Sequence, residues 1–296
     1  MLHDFSYNFA TGDEDGANPA AGVFMDTTGA LYGTTVGGGK PNKSGAGFGT
    51  VFELKPPIPG ETKWTEYVLY RFAGSWDGQS PESTLIADGA GALYGTTLYG
   101  GKGPCTDSSA IVVGCGTVFK LSPPSPGNTR WTKTTLYRFA GGIDGGLPHG
   151  VLRLDGFGRI YGTTFGGGNG SCSGGCGTAF RLTPPPAGQT AWTKSVIYNF
   201  KGADGAFPQG GLIADGAGNL YGTASGGGTG DGVVFKLIPP GAGQPAWTEI
   251  VLHNFNISTS GKTPLGELVA DRQRHLFGVA YDGGRGLVGT VFGVTR

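Results

Sequence analysis

Charge is scarce in this sequence. Asp, Glu, Lys and Arg together make 14% of it, and the 21 basic residues match the 21 acidic ones, so the formal net charge is zero. With no Lys/Arg-rich run either, the basic surface of a nucleic-acid binder is missing, and no nucleic-acid partner is expected. No apolar run approaches the roughly eighteen residues that a transmembrane helix needs, so no transmembrane segment is expected. Met1 is followed directly by repeat sequence, without the basic and apolar regions of a signal peptide. The expectation is a trimmed chain or a fragment of a longer one. A helical 3.6-residue period persists nowhere, which argues against a helical fold. Catalytic signatures such as H-E-x-x-H or a Ser-His-Asp order are absent as well.

Glycine, in contrast, is abundant: 61 of 296 residues, with 19 Pro and an aromatic fraction of 11%. Disordered chains are poor in aromatics and rich in charge. This balance instead describes many short strands joined by Gly/Pro turns. Self-similarity makes that concrete. A Pro precedes an Asp by the same spacing in five copies: Pro19/Asp26, Pro81/Asp88, Pro148/Asp155, Pro208/Asp215 and Pro264/Asp271. An aromatic-Gly step follows (Tyr32-Gly33, Tyr94-Gly95, Tyr161-Gly162, Tyr221-Gly222, Phe277-Gly278). Next come a Gly-rich loop and a strand centred on Phe52, Phe119, Phe180, Phe235 or Phe292. A last segment runs from Trp64, Trp131, Trp192 or Trp247 to Phe72, Phe139, Phe200 or Phe255.

Four β segments per copy, repeated five times, suit radial repetition. The expected fold is all-β: a five-bladed β-propeller with four antiparallel strands per blade. Its copies run approximately 11–72, 73–139, 140–200, 201–255 and 256–296, with 1–10 as a closing strand. Tyr7-Asn8-Phe9 matches Tyr70-Arg71-Phe72, so the N-terminal strand is expected to complete the last blade in a three-plus-one closure, with Met1 at the repeat's Trp position. A β-solenoid would need capping repeats, and a two-sheet sandwich would not explain the offset ends.

The four cysteines fall as Cys105/Cys115 and Cys172/Cys176, each pair bracketing the same Gly-rich loop. Two disulfides and an oxidising compartment are expected. A zinc site fits poorly, because the spacings are long and no His accompanies them. No metal and no cofactor are expected.

The runs Leu93-Tyr94-Gly95-Thr96-Thr97 and Gly116-Thr117-Val118-Phe119-Lys120-Leu121 resemble the GloVer tandem repeat of the "choice-of-anchor" bacterial surface proteins. The resemblance covers essentially the whole chain and is strongest in the second and third copies. It implies secretion and surface anchoring by a C-terminal sorting signal, which this chain does not show. It implies no enzymatic activity.

Copies serve as controls for one another. The Asp that ends each Pro-to-Asp segment recurs in all five and reads as a turn brace. The loop residues Asp15, Asp77, Asp144 and Asp204, with Ser260 in the fifth copy, read the same way. Residues polar in one copy only are the better functional candidates. On the expected first strand these are Glu82, His149, Gln209, Arg153 and Glu267, and the adjoining loops add Trp76, Tyr281, Asp282 and Arg285. A binding site at the channel mouth is expected, for a glycan or polysaccharide, in a secreted or cell-surface monomer. The alternative is a polysaccharide-active hydrolase or lyase, with Glu82 and Glu267 as a carboxylate pair or His149 and Arg153 as base and partner. A protein-interaction scaffold is the third reading.

Overall fold

Short strands and turns account for nearly all regular structure in the computed structural model, which describes residues 1–6, 15–40, 45–106, 109–241 and 243–296. Among the described residues the only helical turns are 3-10, at Ser75–Asp77 and Gly142–Asp144. Two compact units divide the chain, Met1–Phe139 and Ala140–Arg296.

The first unit holds two four-stranded antiparallel sheets. One is built of Phe24–Met25, Leu31–Thr35, Thr50–Lys55 and Thr65–Arg71; the other of Ile86–Ala87, Leu93–Thr97, Thr117–Ser122 and Thr132–Arg138. The second unit holds three. Arg153–Leu154, Ile160–Thr164, Thr178–Thr183 and Thr193–Asn199 form one. Ile213–Ala214, Leu220–Ala224, Val233–Ile238 and Thr248–Asn254 form the next. The last joins Val269–Ala270, His275–Asp282 and Thr290–Thr295, with Lys262–Pro264 paired to the far end of His275–Asp282. Each four-stranded sheet is one sequence copy.

The turn after each first strand is braced by its Asp as expected. In all five copies one carboxylate oxygen accepts two backbone N–H groups of the turn, at 2.8 to 3.1 Å. The other oxygen takes the Tyr hydroxyl of the next strand in four copies, and His275 Nδ1 at 2.7 Å in the fifth. Burial by itself would raise the Asp88 carboxyl, but the bonds from Tyr94, Ala92 and Ala90 outweigh it and hold its pKa below the usual range.

The invariant Gly of the aromatic-Gly step is required for space. Gly95, Gly162 and Gly222 pair across the sheet with Phe119, Phe180 and Phe235, and a Cβ on any of the three would stand 2.7 Å from the ring's Cζ. Phe119 and Phe235 then meet, edge to face, the Phe that closes the preceding copy. Phe72 lies 5.3 Å from Phe119, Phe200 lies 4.9 Å from Phe235, and Phe255 stands in the same relation 4.8 Å from Phe292. Such contacts add about 0.5–1.5 kcal/mol beyond burial.

At the N-terminus, Phe5 occupies the equivalent place, 5.1 Å from Phe52. His3 stands edge-on to Phe5 at 4.6 Å, as His253 does to Phe255 at 4.8 Å. Leu2-His3-Asp4-Phe5 therefore acts like Leu252-His253-Asn254-Phe255. Tyr7, Asn8 and Phe9 lie outside the described residues. Both N-terminal stretches carry the aromatic-x-Phe spacing, and spacing alone could not separate them.

The expected first strand is shorter than the sequence suggested. Hydrogen-bonded strand covers only the two residues just before each Asp, as in Ile86–Ala87. Upstream, the residue before every repeated Pro is left-handed: Asn18, Ser80, Leu147, Phe207 and Thr263 have φ of 54° to 59°. This costs about 1–2 kcal/mol per residue. It seats the Pro ring on the Gly just before the third strand of the preceding copy: a Cβ on Gly49, Gly177 or Gly232 would lie 2.6 Å from Cδ of Pro81, Pro208 or Pro264. The following small residue lies against the next copy's backbone, as Gly210 does against the carbonyl of Gly266. Close packing replaces strand pairing there, although burial still alternates: Ser83 and Leu85 are buried, Glu82 and Thr84 half-buried.

Candidate functional site

The expected site residues are distributed over both units, Trp76 and Glu82 in the first and the rest in the second. Trp76 is 63% exposed on its 3-10 turn. Its carbonyl accepts Arg138 Nε at 3.0 Å, and the guanidinium lies 5.7 Å from its ring. Glu82, His149 and Gln209 follow their Pro residues and are half-buried. Gln209 Nε2 donates to Ser225 Oγ at 3.1 Å, and that hydroxyl donates to the Phe207 carbonyl. Arg153 is exposed. Glu267 is exposed by area, yet the surrounding protein desolvates its carboxyl enough to raise its pKa. The Glu267 carboxylate lies over Gly211, which in turn abuts Val151, so this position forms a row across three copies of the second unit. Tyr281 is exposed and Asp282 half-buried at the end of His275–Asp282, and Arg285 is exposed in the turn that follows.

A concavity lies elsewhere. In the first unit a groove of about 1140 Å³ runs along the fourth strand of the first sheet to Trp131 of the second. Tyr67, Trp131, Lys55, Arg71 and Arg130 line it, with Lys40 and Glu53. Tyr67 is 48% exposed. Lys55 Nζ stands 4.9 Å from the Tyr67 ring and 3.7 Å from Glu53 Oε2. Glu53 is itself buried and accepts the Tyr32 hydroxyl at 2.9 Å. The groove thus carries four cations, one carboxylate already engaged, and three aromatic rings, of Tyr67, Tyr70 and Trp131. It can hold an extended anionic ligand with ring-shaped faces.

Sequence reasoning overlooked this groove although the signal was present. The third strand ends in Lys55, Ser122, Thr183 or Ile238, and the third residue of the fourth strand is Tyr67, Thr134, Ser195 or Ile250. Only the first copy pairs a cation with an aromatic. Comparing copies on these strands, and not only on the segment before each Asp, would have found it.

Both expected disulfides are formed, Cys105–Cys115 and Cys172–Cys176. Among the described residues one group of three side chains, His3, Asp15 and Glu66, has the composition to hold a metal ion. No helix among them is long and apolar enough to cross a membrane.

Two overlapping matches to the Gloeobacter/Verrucomicrobia repeat cover residues 2–190 and 105–296. No match is found among curated protein sequences. Among solved structures, a protein put forward as a gluconolactonase aligns with a TM-score of 0.48 and 16% identity over 93% of this chain and 73% of that one. A glucose dehydrogenase aligns at 0.47 and 13%, over 94% and 84%. The α-L-arabinofuranosidase of Lactobacillus brevis aligns at 0.45 and 12%, over 89% and 82%.

Proposed function

The chain belongs to the Gloeobacter/Verrucomicrobia repeat family, and on that premise we propose that it is an extracellular carbohydrate-binding module that holds an anionic polysaccharide along the groove of its first two copies. The observation that carries this is the groove itself: Tyr67 and Trp131 offer ring faces to sugars, and Lys55, Arg71 and Arg130 offer charge to uronate or sulfate groups. The two disulfides support an oxidising location. The module is a five-bladed propeller in this reading. Five sequence copies, each forming its own four-stranded sheet, support it.

The test is affinity electrophoresis through gels containing polygalacturonate, alginate, a sulfated galactan, xylan or dextran. Retention by the anionic polymers, weakened by salt and lost in Tyr67→Ala and Lys55→Glu, is expected. Retention lost in Trp76→Ala but kept in Tyr67→Ala would move the site to the set of Trp76, Glu82, His149, Gln209, Tyr281, Asp282 and Arg285. Release of reducing ends that stops in Glu82→Gln or Glu267→Gln would replace binding by hydrolysis. Absence of retention on every polymer would sink the carbohydrate reading.

A further inference from the structure

We propose that His3, Asp15 and Glu66 form a binding site for a divalent cation of the zinc class. One loop position is partnered differently in the first copy than in the others. In the first, second and fourth copies the loop Asp that precedes the first strand is approached by two side chains. One belongs to the aromatic-x-Phe motif just upstream, the other to the fourth strand of its own sheet, two residues after the repeated Trp.

In the second copy these partners are Tyr70 and Lys133. The Tyr70 hydroxyl donates to Asp77 at 2.8 Å. Lys133 Nζ contacts Asp77 Oδ1 at 2.8 Å, Thr135 Oγ1 at 3.1 Å and the Asp77 carbonyl. A cation therefore sits in a cage of oxygens, with the lysine side chain only 3% exposed. The third copy repeats this with Lys194, 2.9 Å from Asp144 Oδ1 and also on the Asp144 carbonyl.

In the first copy the same two positions hold His3 and Glu66. The ammonium has been exchanged for a carboxylate and the phenol for an imidazole. Two carboxylates now face one another, and Arg71, near Glu66, offsets part of the excess from outside the trio. One potential ligand atom from each of His3, Asp15 and Glu66 lies within 4.8 Å of the others. His3 Nε2 is 3.6 Å from Asp15 Oδ2, and tetrahedral zinc ligands stand about 3.4 Å apart. His3 Nε2 and Glu66 Oε1 are both shut off from solvent and neither has a hydrogen-bond partner. Buried polar atoms of this kind are normally satisfied. Asp15 is already oriented by the N–H groups of Gly16 and Ser6, at 2.7 and 3.1 Å, as ligating carboxylates usually are.

An imidazole with two carboxylates is a zinc-type donor set and leaves a fourth position for water. The fourth copy has no such set. Asp204 meets Glu249, but the third partner is Tyr198, whose hydroxyl already donates to Asp204 at 2.5 Å. The cation would tie the N-terminal segment, the Asp15 loop and the first sheet together where a lysine does this for the second and third copies.

The experiment is a zinc titration of the whole, tag-free, chelator-stripped chain, read by calorimetry and by thermal melting. One equivalent bound and a raised Tm are expected. His3→Ala and Glu66→Gln should each weaken binding at least tenfold, while Glu249→Gln should not. Glu66→Lys, which installs the arrangement of the second copy, should give a folded protein whose Tm no longer responds to zinc. Zinc binding unchanged in His3→Ala and Glu66→Lys would overturn the proposal. So would equal binding of magnesium or calcium, or a Tm indifferent to zinc in the unmodified chain.

Discussion

Thr97 and Thr117 face each other across the second sheet with their hydroxyls 2.8 Å apart and both side chains buried. Thr35 and Thr50, and Thr164 and Thr178, form the same pair in the first and third copies. The fourth copy replaces both members at once, by Ala224 and Val233, each fully buried. Losing one partner strands a buried hydroxyl, at about 1–3 kcal/mol, whereas losing both is nearly neutral. Thr97→Ala, which removes the acceptor of the Thr117 hydroxyl, should therefore lower stability by that order, whereas Thr117→Val leaves Thr97 donating to the Tyr99 carbonyl at 2.9 Å and should cost less; adding Thr117→Val to Thr97→Ala should recover most of the loss, and additive losses in denaturant melts would contradict the pairing. The turn Asp and the Gly beneath each Phe ring were legible because every copy repeats them. The left-handed residue before each Pro was not. Its side chain varies from Asn and Ser to Leu, Phe and Thr, so the conformation comes from the Pro–Gly packing of neighbouring copies and not from local preference.

On the fourth strands, the residue two after the Trp decides how each loop Asp is balanced. Lys133 and Lys194 neutralise theirs, while Glu249 adds a second carboxylate beside Asp204. Burial, then the Asp204 charge, pushes Glu249 up to about 7 from 4.5. A carboxyl raised on folding binds more protons in the native state, so its contribution to stability is fully present at acid pH and is lost as pH climbs from about 4.5 to about 7. His253, lowered by burial, acts in the opposite sense. The difference in Tm between the natural chain and Glu249→Lys isolates the glutamate: the lysine variant should gain stability most at pH 7 to 8 and least near pH 4. A pH-independent difference would refute this. The Gly-rich loops of the second and third copies are pinned by their disulfides. Replacing Cys172 and Cys176 by Ser should cost about 2 kcal/mol, and replacing Cys105 and Cys115, which close the longer loop, about 3 kcal/mol, both read from Tm.

At the scale of the whole molecule, sequence periodicity was enough to define five four-segment copies, because each copy is one sheet and sheets form locally. The binding surface was less legible. It depends on which strand edges form a concavity, and Lys55 and Tyr67 become neighbours only through the pairing of Glu53 with Tyr67 and Lys55 with Thr65. If the ring inferred above closes through the N-terminal segment, deleting residues 1–10 should reduce amide protection in Thr290–Thr295 as well as in Thr50–Lys55. Loss confined to Thr50–Lys55, where Phe5 meets Phe52, would leave the ring open. A chain of similarly patterned units also faces a hazard during maturation, since any copy resembles the proper neighbour of any other. Four cysteines allow three pairings, and the two non-native ones would weld the second copy to the third. Both bonds observed instead span one loop, at sequence separations of 10 and 4. Each native bond therefore closes within a single copy and leaves the second and third copies without a covalent link between them.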